Sequence, residues 1–468
     1  MTDEQALFAA IRAHPEEDTL RLAYADWLDE QGGKAPPPLR PGRPARVNPG
    51  SPSDRAEYIR VECELARLHD ADDPTPETDA RVKELQARSR ALGGAVVKAW
   101  EAPFRNGKPL AGRYTGFHFS RGLPEWVILN GEQALTYGEA LLRLTPIVQL
   151  NAHNLSDGQL DRLLATPWLR EYPHLHLTLH RAELTRLADT APLPALAELW
   201  VDGTWTLDPH GANRFARSPN FPRLQRLWLS APDGSVAGLD RLFGGPALGA
   251  VRDLLLTLEL APGELSAVLG SPWLAGLEKL RVRQAFTAAD GHALARSAFW
   301  PTLRGLATNG PVGELVAALA SAPPGRLESL SLSYSELGDA DAAALARCPV
   351  WATLRKLELN GNRAITAAGL AELLRAMPPG SLRELNLHDC RVGDAGAKLL
   401  AAAPQLGELR KLQLRDNGVG DEGAAALAGS PHLNRLKELS LNRYMPDWEL
   451  DPKVRRALVR RLGKGLFT

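Results

Sequence analysis

Apolar residues recur along most of this chain in one pattern. Between Leu354 and Asn362 it reads LRKLELNGN, with leucine at positions 1, 4 and 6 and asparagine at position 9. The same pattern starts again at Leu382, Leu409 and Leu436, and earlier at Leu327, Leu277, Leu224 and Leu196. Weaker copies start at Leu303, Val251, Tyr172 and Thr145, so the twelve starts follow one another in steps of 24 to 28 residues. Alternation at positions 3 to 7 predicts a short strand, with 1, 4 and 6 turned inward and 3, 5 and 7 facing out over the concave side. Steps of this length mark a solenoid, in which each unit buries its apolar face against its neighbours.

The return path of each unit reads as a helix. Asp339, Asp394 and Asp421 each follow a glycine and precede alanine-rich runs. An aspartate there is expected to accept the free amides of its own helix's first turn. Proline stands five residues before the next start at 167, 219, 246, 272, 349, 404 and 431. An apolar residue stands three before it: Leu169, Phe221, Leu248, Leu274, Trp300, Trp351, Leu406 and Leu433. These read as a helix stop and a second layer of core. The expected fold class is α/β, a solenoid of about twelve strand-plus-helix units over residues 145–445.

Residues 1–100 follow a helical period instead. Thr2 and Gln5 form a capping box before Leu7, Phe8 and Ile11. Asp18 can cap a second helix whose face is Leu20, Ala23, Tyr24, Trp27 and Leu28. Seven prolines and four unpaired basic residues then mark 33–53 as an insertion or linker. Helices are expected again from Asp54 and from Thr75-Pro76. Residues 101–144 form a capping segment in which Phe117, Phe119, Trp126, Ile128 and Leu129 should make a strand. A terminal helix opening at Asp451-Pro452 should cap the other end over 446–468, with Val454, Leu458 and Leu462 inward.

The stretches LRLAYADWLDEQG (20–32) and AEYIRVECELARL (56–68) resemble the bacterial repeat-companion domain, a small module that accompanies repeats. FSRGLPEWVILNGEQAL (119–135) resembles the segment joining that module to its repeats. The strand-then-helix phase resembles the ribonuclease-inhibitor class of leucine-rich repeat. The insertion at 33–53 separates two stretches that usually lie close together. The resemblance implies a modular interaction protein and carries no known chemistry. Repeats of this class also occur in Ran GTPase-activating proteins, so regulation of a GTPase is the alternative it suggests.

Charge and composition narrow the partners. The 55 basic and 55 acidic residues balance, which argues against nucleic acid or an anionic membrane as the general partner. No stretch is apolar for long enough to span a membrane, and MTDEQALFAA does not read as a signal peptide. Cys63, Cys348 and Cys390 lie far apart, so a reduced, cytoplasmic protein is expected. No Walker lysine loop, nucleophile elbow or paired-cysteine site is present. His174 and His176, in HLHLTLH, face one side but are too few for zinc. His153 and His180 fall at position 9 of adjacent units. No enzyme activity, cofactor or metal is expected.

Position 5 is where the sequence points to function. In order it holds Gln149, His176, Trp200, Trp228, Leu255, Arg281, Ala307, Ser331, Glu358, Asn386, Gln413 and Ser440. Two tryptophans and a leucine on an outward face are unusual, and Glu198, Asp202, Arg226, Asp253, Lys279 and Arg283 flank them. Aromatics ringed by charge resemble the centre of a protein interface. The expected binding residues are Trp200, Trp228, Leu255, Glu198, Asp202, Arg226, Lys279, Arg281 and Arg283. The rival expectation is that the helices or the N-terminal module cover them.

Overall fold

The computed structural model describes residues 2–32, 51–70, 76–101, 116–231, 238–441 and 450–462. Most of the proline-rich insertion lies outside them, as do Thr75, residues 102–115 of the capping segment and the outer parts of 446–468. Two compact units form, one of Met1–Trp205 with Pro219–Leu224, the other of Thr206–Ser218 with Gln225–Thr468.

The first unit opens with four helices: α1 (Asp3–Ala13), α2 (Asp18–Gly32), α3 (Pro52–Asp70) and α4 (Pro76–Glu101). Thr2 and Gln5 cap α1 reciprocally. The start of α3 is earlier than the sequence suggested, because Ser51 and Asp54 exchange hydrogen bonds and Ser51 becomes the cap. Phe8, Ile11, Tyr24, Leu28, Ile59 and Trp100 pack into one core. The buried face of α2 is the expected one except at Ala23: Tyr24 and Leu28 are in the core and Leu20 and Trp27 pack against it. Ala23 is exposed, and Arg21, Tyr24, Ala25 and Leu28 are buried. Arg21 is drawn in because it donates to the Pro15 carbonyl. Asp18 is the first residue of α2 and bonds Arg67 and Arg121, both at 3.1 Å. The Tyr24 hydroxyl donates to Glu4 and accepts from Arg55, each at 2.9 Å, so these three side chains are tied together across the module.

Next come β1 (Gly116–Ser120) and β2 (Leu123–Asn130), an antiparallel hairpin where a single strand was expected. Its turn needs Gly122, whose φ is 80°. A Cβ at Gly122 would lie 2.5 Å from Ile59 Cα, so the hairpin sits directly on α3. Then follow α5 (Gly131–Leu144), β3 (Gln149–Leu155), α6 (Asp157–Leu164), β4 (His174–Glu183), α7 (Arg186–Asp189) and β5 (Glu198–Thr206). Strands β1 to β5 neighbour one another in chain order. Arg12 on α1 donates to the Leu142 and Thr145 carbonyls at 2.9 and 3.1 Å, capping the C-terminus of α5. Register corrects the first repeat. Leu150 pairs with Leu175 and Asn151 with His176, so the unit starts at Ile147, not Thr145. Thr145 is instead the C-cap of α5, its hydroxyl donating to Leu141 O.

The second unit comprises α8 (Pro209–Ala216), β6 (Arg226–Ala231), α9 (Leu239–Leu242), β7 (Asp253–Leu258), α10 (Glu264–Leu269), β8 (Lys279–Val282), α11 (Ala288–Ala295), β9 (Gly305–Thr308), α12 (Gly313–Ser321), β10 (Ser329–Leu332), α13 (Asp339–Ala346), β11 (Lys356–Glu358), α14 (Ala367–Ala376), β12 (Glu384–Asn386), α15 (Gly393–Ala402), β13 (Lys411–Gln413), α16 (Asp421–Gly429), β14 (Glu438–Ser440) and α17 (Pro452–Leu462). Strands β6 to β14 are parallel and in chain order. Leu330, Leu357, Leu385, Leu412 and Leu439 form one row across five of them. Positions 1, 4 and 6 are buried, while 3, 5 and 7 face out and are mostly open, as strand parity requires, with Ser440 a buried exception; for instance Leu277, Leu280 and Val282 are buried while Lys279 is exposed. The chain is an α/β leucine-rich-repeat solenoid preceded by a helical part.

Two devices differ from the expectation. The prolines at 167, 246, 272, 349 and 404 do not stop helices; each opens a short 3-10 turn at its first position, where proline's missing N–H costs nothing. The aspartates do not cap their own helices. Asp339 accepts from Thr366 N, Thr366 Oγ1 and Gly369 N at 2.8, 2.7 and 2.9 Å. Asp394 accepts from Gly420 N and Gly423 N at 2.7 and 2.9 Å. Asp421 accepts from Asp451 N at 2.7 Å, ahead of α17. Each therefore holds the start of the next unit's helix. The reason is geometric: each lies inside the first turn of its own helix and points at its neighbour.

Candidate functional site

On the first unit the outward strand face carries two histidine–tryptophan stacks. His176 lies on Trp200 with ring centroids 4.2 Å apart and planes 9° from parallel. His118 lies on Trp126 at 3.5 Å and 2°. Trp200 is half-buried, supported from β4 by His176. Burial lowers the His176 pKa below the ordinary imidazole value, against the pull of Asp202, so the ring is uncharged at pH 7. Asp202 is half-exposed on the same face. Glu198 is not available as expected: it shares the parity of Trp200 but is buried, with 8% exposure. The corrected start of the first repeat puts His153 at position 7, not 9, and Asn151 rather than Gln149 at position 5. Stacking partners such as His176 were visible in the position-5 row as neighbours of Trp200, but their stacking was not.

On the second unit the face holds Trp228, Leu255 and Arg281 on three consecutive strands, paired Trp228 to Leu255 and Leu255 to Arg281. All three are half-exposed. The Arg281 guanidinium lies 4.9 Å from the Trp228 ring centre and donates to Asp253 at 2.7 Å. A cation over an aromatic face holds the indole in place, worth about 0.5–1 kcal/mol at an exposed site. Arg226, Lys279 and Arg283 are exposed around this cluster. Further along the same face the charges are closed on themselves. Lys356 pairs with Glu358 and Glu384 at 3.0 and 3.5 Å, and Lys411 with Glu438 at 2.8 Å. The residues about Lys356 and Lys411 line a depression of only about 100 Å³.

Trp300 and Trp351 are buried and donate to the Pro323 and Leu345 carbonyls, both at 2.9 Å, so they are core. The three thiols are buried and free. Burial pushes Cys63 up to about 12, Cys348 to about 11 and Cys390 to about 12, which leaves them unreactive. Among the described residues, His14, Glu16 and Glu17 are the one grouping of three side chains that could hold a metal ion, and all are exposed. His174 and His176 belong to no such grouping. No helix among the described residues is long and apolar enough to cross a membrane.

This geometry defines a repeat protein whose distinctive chemistry lies on its strand face. The Leucine Rich repeat family profile matches residues 352–374, 381–401 and 409–428. A Tonsoku-like protein from Bos taurus is 45% identical over 69 residues, 14% of this chain and 5% of that protein's length. Among solved structures, the yeast Rad7 and Elc1 complex is similar at a TM-score of 0.43 and 15% identity, over 86% of this chain and 91% of that one.

Proposed function

We propose that this chain is a non-catalytic scaffold that recognises a protein partner through the outward face of its strands. The two contact patches are Trp200 with Asp202 on the first unit, and Trp228, Leu255, Arg281, Arg226, Lys279 and Arg283 on the second. Glu198, on the same face, is buried beside the first. The observation that carries this is the pair of half-exposed tryptophans, each braced by a stacked neighbour rather than sunk into core. Rigid aromatic anchors beside charges are typical interface hot spots. No feature of the described residues favours regulation of a GTPase over this.

The finer assignment follows the sequence resemblance. Residues 1–100 act as a repeat-companion module of the bacterial type, 101–144 and 446–468 cap the solenoid of 145–445, and the repeats are of the ribonuclease-inhibitor class. The capping of α5 by Arg12 supports a module built into its first repeats. A reduced, cytoplasmic setting is in keeping with three free thiols. The test is capture from native lysate by the immobilised full chain, read by mass spectrometry. Trp200→Ala and Trp228→Ala should each lose the captured partner by about tenfold or more. Gln413→Ala, on the same face, should not. Capture unchanged in both tryptophan variants would sink the proposal.

A further inference from the structure

Lys279, Arg281 and Arg283 occupy alternate positions along and just beyond β8, so all three project to the outward face. Arg281 is neutralised by Asp253 and covers Trp228. Lys279 and Arg283 are exposed, and neither side chain has an ion-pair or hydrogen-bond partner among the described residues. The flanking strands supply none. In the rows beside them β7 places Asp253, Leu255 and Thr257, whose one carboxylate Arg281 already holds. On the other side stand Gly305, Ala307 and Asn309.

That other side is low. Gly305 and Ala307 on β9 are followed by Ser329 and Ser331 on β10. A Cβ on Gly305 would come 3.3 Å from Lys279 Cγ, so glycine leaves room beside the lysine stem. The floor is two strands wide, about 10 Å. Cations stand along one side of it. On the other, β11 offers Lys356, already neutralised by Glu358 and Glu384.

We infer that this trough binds an extended acidic segment of a partner protein, with carboxylates four residues apart meeting Lys279 and Arg283. The inference rests on the proposed role of the strand face in recognition and adds the chemistry of what it recognises. Residues four apart on an extended chain are separated by about 13 Å, the same spacing that β8 gives its two unpaired cations. Nucleic acid fits less well. Two free cations are few against the roughly 6–10 phosphate contacts of many nucleic-acid binders, and Glu358 and Glu384 stand opposite.

The test uses the full chain and three fluorescein-labelled probes: a short peptide of alternating glutamate and threonine, its lysine-for-glutamate copy, and a single-stranded oligothymidylate. Polarisation should show that the acidic peptide binds, more weakly as salt rises, and that the other two do not. Lys279→Glu with Arg283→Glu should weaken acidic-peptide binding by about tenfold or more and gain affinity for the lysine copy. Lys411→Glu, whose lysine is paired on the same face, should change little. Equal binding by wild type and the double variant, no binding by wild type, or tighter binding of the oligonucleotide would overturn the inference. A double variant that still captures a lysate partner lost by Trp228→Ala would sink the acidic segment and leave face recognition standing. If neither of these variants nor Trp200→Ala changed capture, both would fall.

Discussion

At the scale of single residues, the repeat is held by buried leucines and by one buried amide. Leu412 is fully buried between Leu385 and Leu439. Leu412→Ala should cost about 2–5 kcal/mol in urea unfolding, because neighbouring units cannot close the cavity. Unfolding at the wild-type urea concentration would contradict the register. Asn362 has a less obvious task. It accepts from Ser335 N and Leu337 N, each at 3.0 Å, and donates to Leu332 O and Leu359 O at 2.8 and 2.7 Å. Asn362→Ala strands buried backbone groups in two consecutive units, each costing about 1–3 kcal/mol. Its urea midpoint should fall further than that of Gln413→Ala, and a fall no larger would remove this role. The leucines were legible because one parity rule sets them all. The asparagine was legible as a letter in the pattern, but three of its four partners sit in the preceding unit, which the pattern within one unit does not contain. Cys390 takes the corresponding place between Asn362 and Asn417 and offers only a thiol to Leu359 O at 3.4 Å.

At the scale of elements, consecutive helices are joined by aspartates. Burial pushes the Asp339 carboxyl up, but hydrogen bonds from Thr366 and Gly369 prevail and hold it below the usual carboxylate range. A carboxylate whose pKa is depressed by folding contributes stability that is complete above its unfolded value of about 3.9 and is lost as pH falls through the lower folded value. Acid should therefore lower the urea midpoint of wild type more than that of Asp339→Asn, and equal losses would show that this carboxylate carries no pH-dependent stability. Asp394→Ala frees the Gly420 and Gly423 amides, so hydrogen exchange in α16 should quicken while α13 is unchanged. Uniform exchange would contradict a link to one neighbour. The sequence placed strands and helices well because their periods differ. It misassigned what joins them: aspartate before an alanine run reads as a cap on its own helix, and proline before a strand reads as a stop. Thr145 was mistaken for a repeat start because Val148 and Leu150 mimic positions 4 and 6, whereas Ile147, Leu150 and Ala152 fill positions 1, 4 and 6 in the fold.

At the scale of the molecule, strand parity alone told which side chains face outward, so Trp228, Leu255 and Arg281 could be named from the sequence. Glu198 could not be placed, since its burial depends on what packs around it. The division at Trp205 and Thr206 leaves no mark on the spacing of the repeats. If a partner covers the strand face, hydroxyl-radical footprinting of the full chain with its captured partner will show it. Trp273 is the internal standard, because it is 41% exposed and lies outside both proposed patches. Partner binding should lower oxidation of Trp200 and Trp228 severalfold and leave Trp273 unchanged. Undiminished oxidation of both, with protection appearing on α1 to α4 instead, would contradict it.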